Sequence, residues 1–224
     1  MPETTASSPP GIILGFDETN NGFNLDHPKY KHHPNSIMVV TGYMTPSNST
    51  FHTPERPGSR KKVFNSKRDV SRALELGREY IEASPDYFYT TICYSDSKKI
   101  KLPLLRANAI ALLTFKFFQH YQLDPITTKL AIDQINGKDF SNSVGYFLQG
   151  WLENARLPIK FNIEERSDKK IPAVKKADRI GYYLAAIKFL GDKNHWPYRK
   201  RKVSMNQLEN LATQIQMNQI DRNM

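Results

Sequence analysis

An α/β domain is the fold class this chain predicts: a central mixed sheet of five strands flanked by helices. Three observations predict it. Apolar runs of strand length recur along the 224 residues. The first two are joined only by a polar loop, as in a hairpin. From the second onward, each run is followed by a stretch with helical spacing. An opening antiparallel pair followed by strand–helix alternation gives a mixed sheet with helices packed against it.

The first strand is the run from Gly11 to Phe16, which ends abruptly in Asp17 and Glu18 and breaks into the turn Asn20, Asn21, Gly22. A Gly-bounded apolar run reads as a buried strand. Two acids at its end are costly unless something there favours negative charge. A polar loop with His27, His32 and His33 leads to a second strand, Ser36 to Tyr43. These histidines lack zinc-site spacing and read as solvated. The stretch from Thr45 to Lys62 is rich in Pro, Ser and Thr and closes on Arg56, Arg60, Lys61 and Lys62, an exposed basic loop.

A helix is expected over 69–83, stopped by Ser84 and Pro85. Strand three is expected over 87–94, and a longer apolar helix over 104–121. Strand four runs from Thr127 to Ile135 before the turn Asn136, Gly137. A helix over 141–155, a fifth strand over 159–165, a loop over 166–172 and a helix over 173–190 follow. The tail carries the basic run Arg199 to Lys202 and a polar helix over 205–220 with a thin apolar stripe, Leu208, Leu211, Ile215. The organisation is thus a disordered leader over 1–10, one domain over 11–190, and a basic segment with a C-terminal helix over 191–224.

Composition narrows the class further. No run approaches the ~18 apolar residues of a membrane helix, so no membrane partner is expected. A single cysteine, Cys93, excludes an internal disulfide framework and fits a reducing cytoplasm. The net charge is +10, which favours polyanions, nucleic acid first. Against that basic background three further acids stand out. Asp133 interrupts the apolar strand Leu130 to Ile135. Asp168 lies just before a helix, beside Lys169 and Lys170. Asp178 borders the apolar stripe Val174, Ala177, Ile180, Leu184 within that helix. Singly, they read as a turn former, a cap neighbour and a solvated helix acid. Jointly, two strand ends and the last helix can meet at one sheet edge.

Converging carboxylates repel unless hard cations such as Mg²⁺ or Mn²⁺ neutralise them. Two such ions ~4 Å apart can activate water and stabilise a leaving oxygen in phosphodiester cleavage. Nearby Lys and Arg would hold the phosphate backbone. Arg60, Lys61, Lys62, Lys169 and Lys170 are the candidates.

The pattern Gly15, Asp17, Glu18, Gly22 resembles the opening motif of type 2 ribonucleases H. Asp133 is similar to that family's third acid, and Asp168 with Lys169 to its fourth. The segment Ala177, Asp178 to Tyr183 resembles the final Ala-Asp helix of the wider ribonuclease H-like superfamily. That superfamily includes prokaryotic families opening with Asp-Glu-Ser, and these are the closer match. The resemblance implies a ribonuclease H-like fold whose first and fourth strands lie side by side. It also implies a two-metal nuclease, with Asp17, Asp133 and Asp178 as ligands and Glu18 and Asp168 as further ligands or supporting acids. Its products would carry a 5′-phosphate and a 3′-hydroxyl, and the substrate would be RNA, DNA or a hybrid. Asn20, Asn21 and Gly22 stand where type 2 enzymes carry Gly-Arg-Gly.

Overall fold

In the computed structural model, residues 11–20, 36–49, 67–94, 102–134, 138–165, 167–190 and 200–222 are described. The leader, the histidine loop, Arg56, Arg60, Lys61, Lys62 and Arg199 lie outside the described residues, as do the side chains of Cys93 and Asp168.

The strands are β1 (Ile12–Asn20), β2 (Ser36–Pro46), β3 (Tyr87–Tyr94), β4 (Thr128–Asp133) and β5 (Lys160–Glu164). They form one sheet in the order β3-β2-β1-β4-β5. The expected opening hairpin forms, with β1 antiparallel to β2 from Ile12↔Pro46 to Asn20↔Met38. β2 is antiparallel to β3. β4 lies parallel to β1, and β5 parallel to β4. The first and fourth strands are therefore neighbours. Each parallel step needs a crossover, which the intervening helices supply.

The helices are α1 (Lys67–Glu82), α2 (Leu102–Tyr121), α3 (Lys138–Asn154), α4 (Ser167–Lys170), α5 (Pro172–Leu190) and α6 (Leu208–Arg222). Alternation along each strand divides them between two faces. Leu14, Phe16, Met38, Val40, Phe88 and Ile92 face the larger core, with α2 and α3. Val39, Tyr43, Tyr87 and Tyr89 face the smaller one, with α1 and α5.

From Arg106 to Phe118, α2 buries every residue except Asn108 and Lys116. That all-round burial follows from its position, with the sheet on one side and α3 and α6 on the others. The thin stripe of the C-terminal helix joins this same core: Leu208, Leu211, Ala212 and Ile215 are all buried there. Just before it, Lys202 bridges to Tyr89, and the Val203 amide donates to the Tyr89 carbonyl at 2.8 Å. The chain thus lines the open edge of β3. Among the described residues, no helix is long and apolar enough to cross a membrane.

Two glycines set how closely α5 sits on the sheet. A Cβ at Gly15 would lie 2.2 Å from the Ala173 carbonyl carbon and 2.3 Å from the Val174 nitrogen. Only glycine admits a helix backbone there. Eight residues further along α5, a Cβ at Gly181 would lie 3.0 Å from Thr41 Oγ1 and 3.2 Å from Thr19 Oγ1. The helix therefore rises along β1 from Gly15 towards Thr19.

Candidate functional site

Alternation along β1 separates the two opening acids. Odd positions face α5: Gly15 touches its start and Thr19 meets Gly181. Asp17 lies between them on that face. Glu18 points the other way, towards α2, where its Oε2 takes a 2.5 Å bond from Arg106 Nε. Adjacent in sequence, the two carboxylates occupy opposite sides of the sheet.

Strand register then brings other acids beside Asp17. The last β1–β4 pair is Phe16↔Ile132, so one further step sets Asp17 next to Asp133. β4–β5 pairing sets Asp133 opposite Glu164. On the other side Asp17 pairs with Thr41 of β2. One row across the sheet therefore reads Thr41, Asp17, Asp133, Glu164, with neighbouring strands ~4.8 Å apart. It lies at the carboxyl ends of β4 and β5 and just past the last β1–β4 pair, on the side of an open α/β sheet where ligands bind.

α5 contributes the fourth acid. Lys176 and Tyr183 occupy its flank towards α1: Lys176 Nζ donates to Ser84 Oγ at 2.9 Å, and Tyr183 packs on Tyr80 and Gly77. Ala177 and Gly181 face the sheet. Helical spacing puts Asp178 on the remaining flank, towards β4, and it is buried there.

Electrostatics distinguish these acids. Asp17, Glu18 and Asp178 are 6, 8 and 7% exposed. Burial, then the charges of Glu18 and Asp133, push the Asp17 carboxyl well above its ordinary value. The Glu18 main-chain amide at 2.8 Å and the Arg106 charge pull it only partly back. Burial also raises Glu18, but the facing Arg106 opposes the rise directly, by charge and by hydrogen bond. Asp133 is half-buried, and its Oδ1 accepts bonds from the Ser167 amide at 2.8 Å and the Ser167 hydroxyl at 2.9 Å. This couples the end of β4 to α4, a short helix inside the stretch expected to be a loop. Ser167 has a seryl donor in both main chain and side chain, which is what a strand-end carboxylate needs.

Asp17 and Asp133 thus share one row of the sheet, Asp178 lies on the α5 flank turned towards β4, and Glu18 faces the opposite side. Asp168 has its main chain in α4 beside Asp133, with Lys169 and Lys170 exposed in the same turn. Among the described residues, no group of three or more His, Cys, Asp or Glu is arranged to hold a metal ion. The donor types nonetheless fit a hard divalent ion: they are carboxylate oxygens, one of them desolvated and crowded by like charge.

Two residues escaped the sequence reading. Glu164 ends β5 in the row of Asp133, and only the register reveals it. Arg106 is fully buried and donates from Nη2 to the Asp133 carbonyl at 2.5 Å. A lone arginine between Leu105 and Ala107 in an apolar helix was its signal, since a buried guanidinium requires partners. No protein-family model matches the chain, and no curated protein matches it in sequence.

Proposed function

We propose that this protein is a divalent-metal-dependent nuclease on a ribonuclease H-like fold, acting on nucleic acid in the cytoplasm. The observation that carries the reading is the placement of Asp17 and Asp133 one step past the last β1–β4 pair, Phe16↔Ile132, where burial and like charge make ionisation of Asp17 unfavourable. A cation between these acids relieves both penalties.

Asp17, Asp133 and Asp178 would hold Mg²⁺ or Mn²⁺, with Asp168 and Glu164 at the margin of the same corner. Two such ions would supply an activated water and charge neutralisation at the leaving oxygen. The chain's own contribution is placement. Asp17 is fixed by strand pairing on β2, Asp133 by Ser167, and Asp178 by the close approach of α5 that Gly15 permits. Lys169 and Lys170, exposed in the helical turn that starts at Ser167, would hold a backbone phosphate.

A second reading, a nucleic-acid-binding domain without cleavage, is favoured by one observation. Arg106 engages Glu18 and Ser167 engages Asp133 Oδ1, so two of the acids already serve the fold. One experiment separates the readings. The protein is incubated with Mg²⁺ or Mn²⁺ and single-stranded, duplex and hybrid substrates, alongside Asp17→Asn. Cleavage by wild type and its loss in the variant are expected. Retention of all substrates by both proteins, with binding preserved, selects the second reading.

A further inference from the structure

Ladder pairing does not hold the two central acids together. The β1–β4 pairs end at Phe16↔Ile132. Beyond them Asp17 pairs only with β2, and Asp133 only with β5. A buried and a half-buried carboxylate of like charge at a point where strands stop pairing should splay apart.

Arg106 spans that gap from the opposite face. Its Nε donates to Glu18 Oε2 at 2.5 Å, one residue past Asp17 on β1. Its Nη2 donates to the Asp133 main-chain carbonyl at 2.5 Å, at the end of β4. The planar, rigid fork of the guanidinium makes both bonds from one side chain. Phe140 of α3 covers the group, its ring centre 5.9 Å from Cζ.

Stability alone does not account for this arrangement. Arg106 is fully buried and the Glu18 side chain is 1% exposed. Glu18 Oε1 and Arg106 Nη1 have no hydrogen-bond partner among the described residues. An incompletely satisfied buried ion pair is commonly no more stable than an apolar replacement of similar volume. A positional role explains what the energetics do not.

We propose that Arg106 is the positioning residue of the acidic corner. It ties the ends of β1 and β4 so that Asp17 and Asp133 stand side by side, and Glu18 is its anchor, not an ion ligand. This rests on the reading of Asp17 and Asp133 as ion ligands.

The test compares wild type with the charge-neutral pair Glu18→Gln/Arg106→Met and with Arg106→Lys, all as full chains. Melting temperature and Mn²⁺ affinity are measured. The neutral pair should melt near wild type yet bind Mn²⁺ ~10- to 100-fold more weakly, the range for lost support behind metal ligands. Arg106→Lys, which keeps the charge but cannot make both bonds, should also bind more weakly. Wild-type Mn²⁺ affinity in both variants overturns the proposal, because Arg106 would then only neutralise Glu18.

Amide hydrogen exchange tests the clamp independently of any ion. The Glu18 amide bonds Asp17 Oδ1 and the Gln134 amide bonds the Glu164 carbonyl. Both should exchange at least ~10-fold faster in the variants while amides of Phe115 and Phe117 in α2 keep their protection. Unchanged exchange at Glu18 and Gln134 refutes the clamp. Absence of Mn²⁺ binding by wild type, with exchange altered as expected, refutes the metal reading and leaves the clamp standing. If the neutral pair does not fold, Arg106→Lys carries both measurements.

Discussion

Asp17 and Glu18 are neighbours in the chain, almost equally buried and both raised by that burial, yet only Glu18 has a cation hydrogen-bonded to it. Glu18 points into the α2 face and meets a guanidinium, which counters the cost of its burial. Asp17 points into the α5 face among threonines and beside Asp133, and its carboxyl is driven well above its ordinary value. One face of the sheet offsets part of its acid's burial from within the fold. On the other, the charges of Glu18 and Asp133 add to the cost of burying Asp17, and the proposed ion site lies there.

The comparison can be broken most severely at Arg106. Arg106→Met alone leaves Glu18 buried opposite an apolar group and should cost about 3–5 kcal/mol, read by denaturant unfolding. A loss under ~1 kcal/mol would mean that the α2 face is not compensated as described. Next is Gly15→Ala. The added methyl meets helix backbone, which cannot swing aside as a side chain can, so α5 must shift at a cost on the order of 3 kcal/mol. Because α5 carries Asp178, any metal-dependent cleavage should fall by a larger factor than stability implies.

Asp17→Asn should act in the opposite sense on stability. The folded-state value of Asp17 lies above its unfolded one. Its contribution is therefore fully present below the ordinary carboxyl range and is lost as pH rises through the raised value. Without divalent ions, the variant should gain about 1–3 kcal/mol at neutral pH and keep no advantage in acid. Equal stability of the two proteins across that range would show that Asp17 is already compensated.

Gly181→Ala should change least. Its methyl would press on two hydroxyls at 3.0 and 3.2 Å that can give way slightly. The helix propensity gained offsets part of the crowding, so stability should stay within about 1 kcal/mol of wild type.

Much of this fold was legible from period and punctuation. β3 falls on the expected residues, and α2 and α5 start within two residues of the expected positions. Strand and helix in these stretches are set by local spacing of apolar residues and by breakers such as Pro85. Local spacing could not show which strand ends adjoin. That β1 neighbours β4 was implied by resemblance and is observed as pairing. Glu164 went unnoticed because its place beside Asp133 is a matter of register, set by distant residues. Strand alternation sends Asp17 and Glu18 to opposite faces, but the destination of Glu18 depended on Arg106, 88 residues along the chain. The turn over 166–172 was read from its polar residues as loop. Ser167 instead starts a helical turn because Asp133 accepts its amide.

The account rests on the α5 corner taking a divalent ion through Asp17. Thermal unfolding with and without Mn²⁺ tests this most directly, since a ligand bound only by the folded state raises the melting temperature. Wild type should melt at a rising temperature as Mn²⁺ is added at neutral pH. Asp17→Asn should show little or no rise. An equal rise in both proteins, or none in wild type at millimolar Mn²⁺, would contradict the assignment.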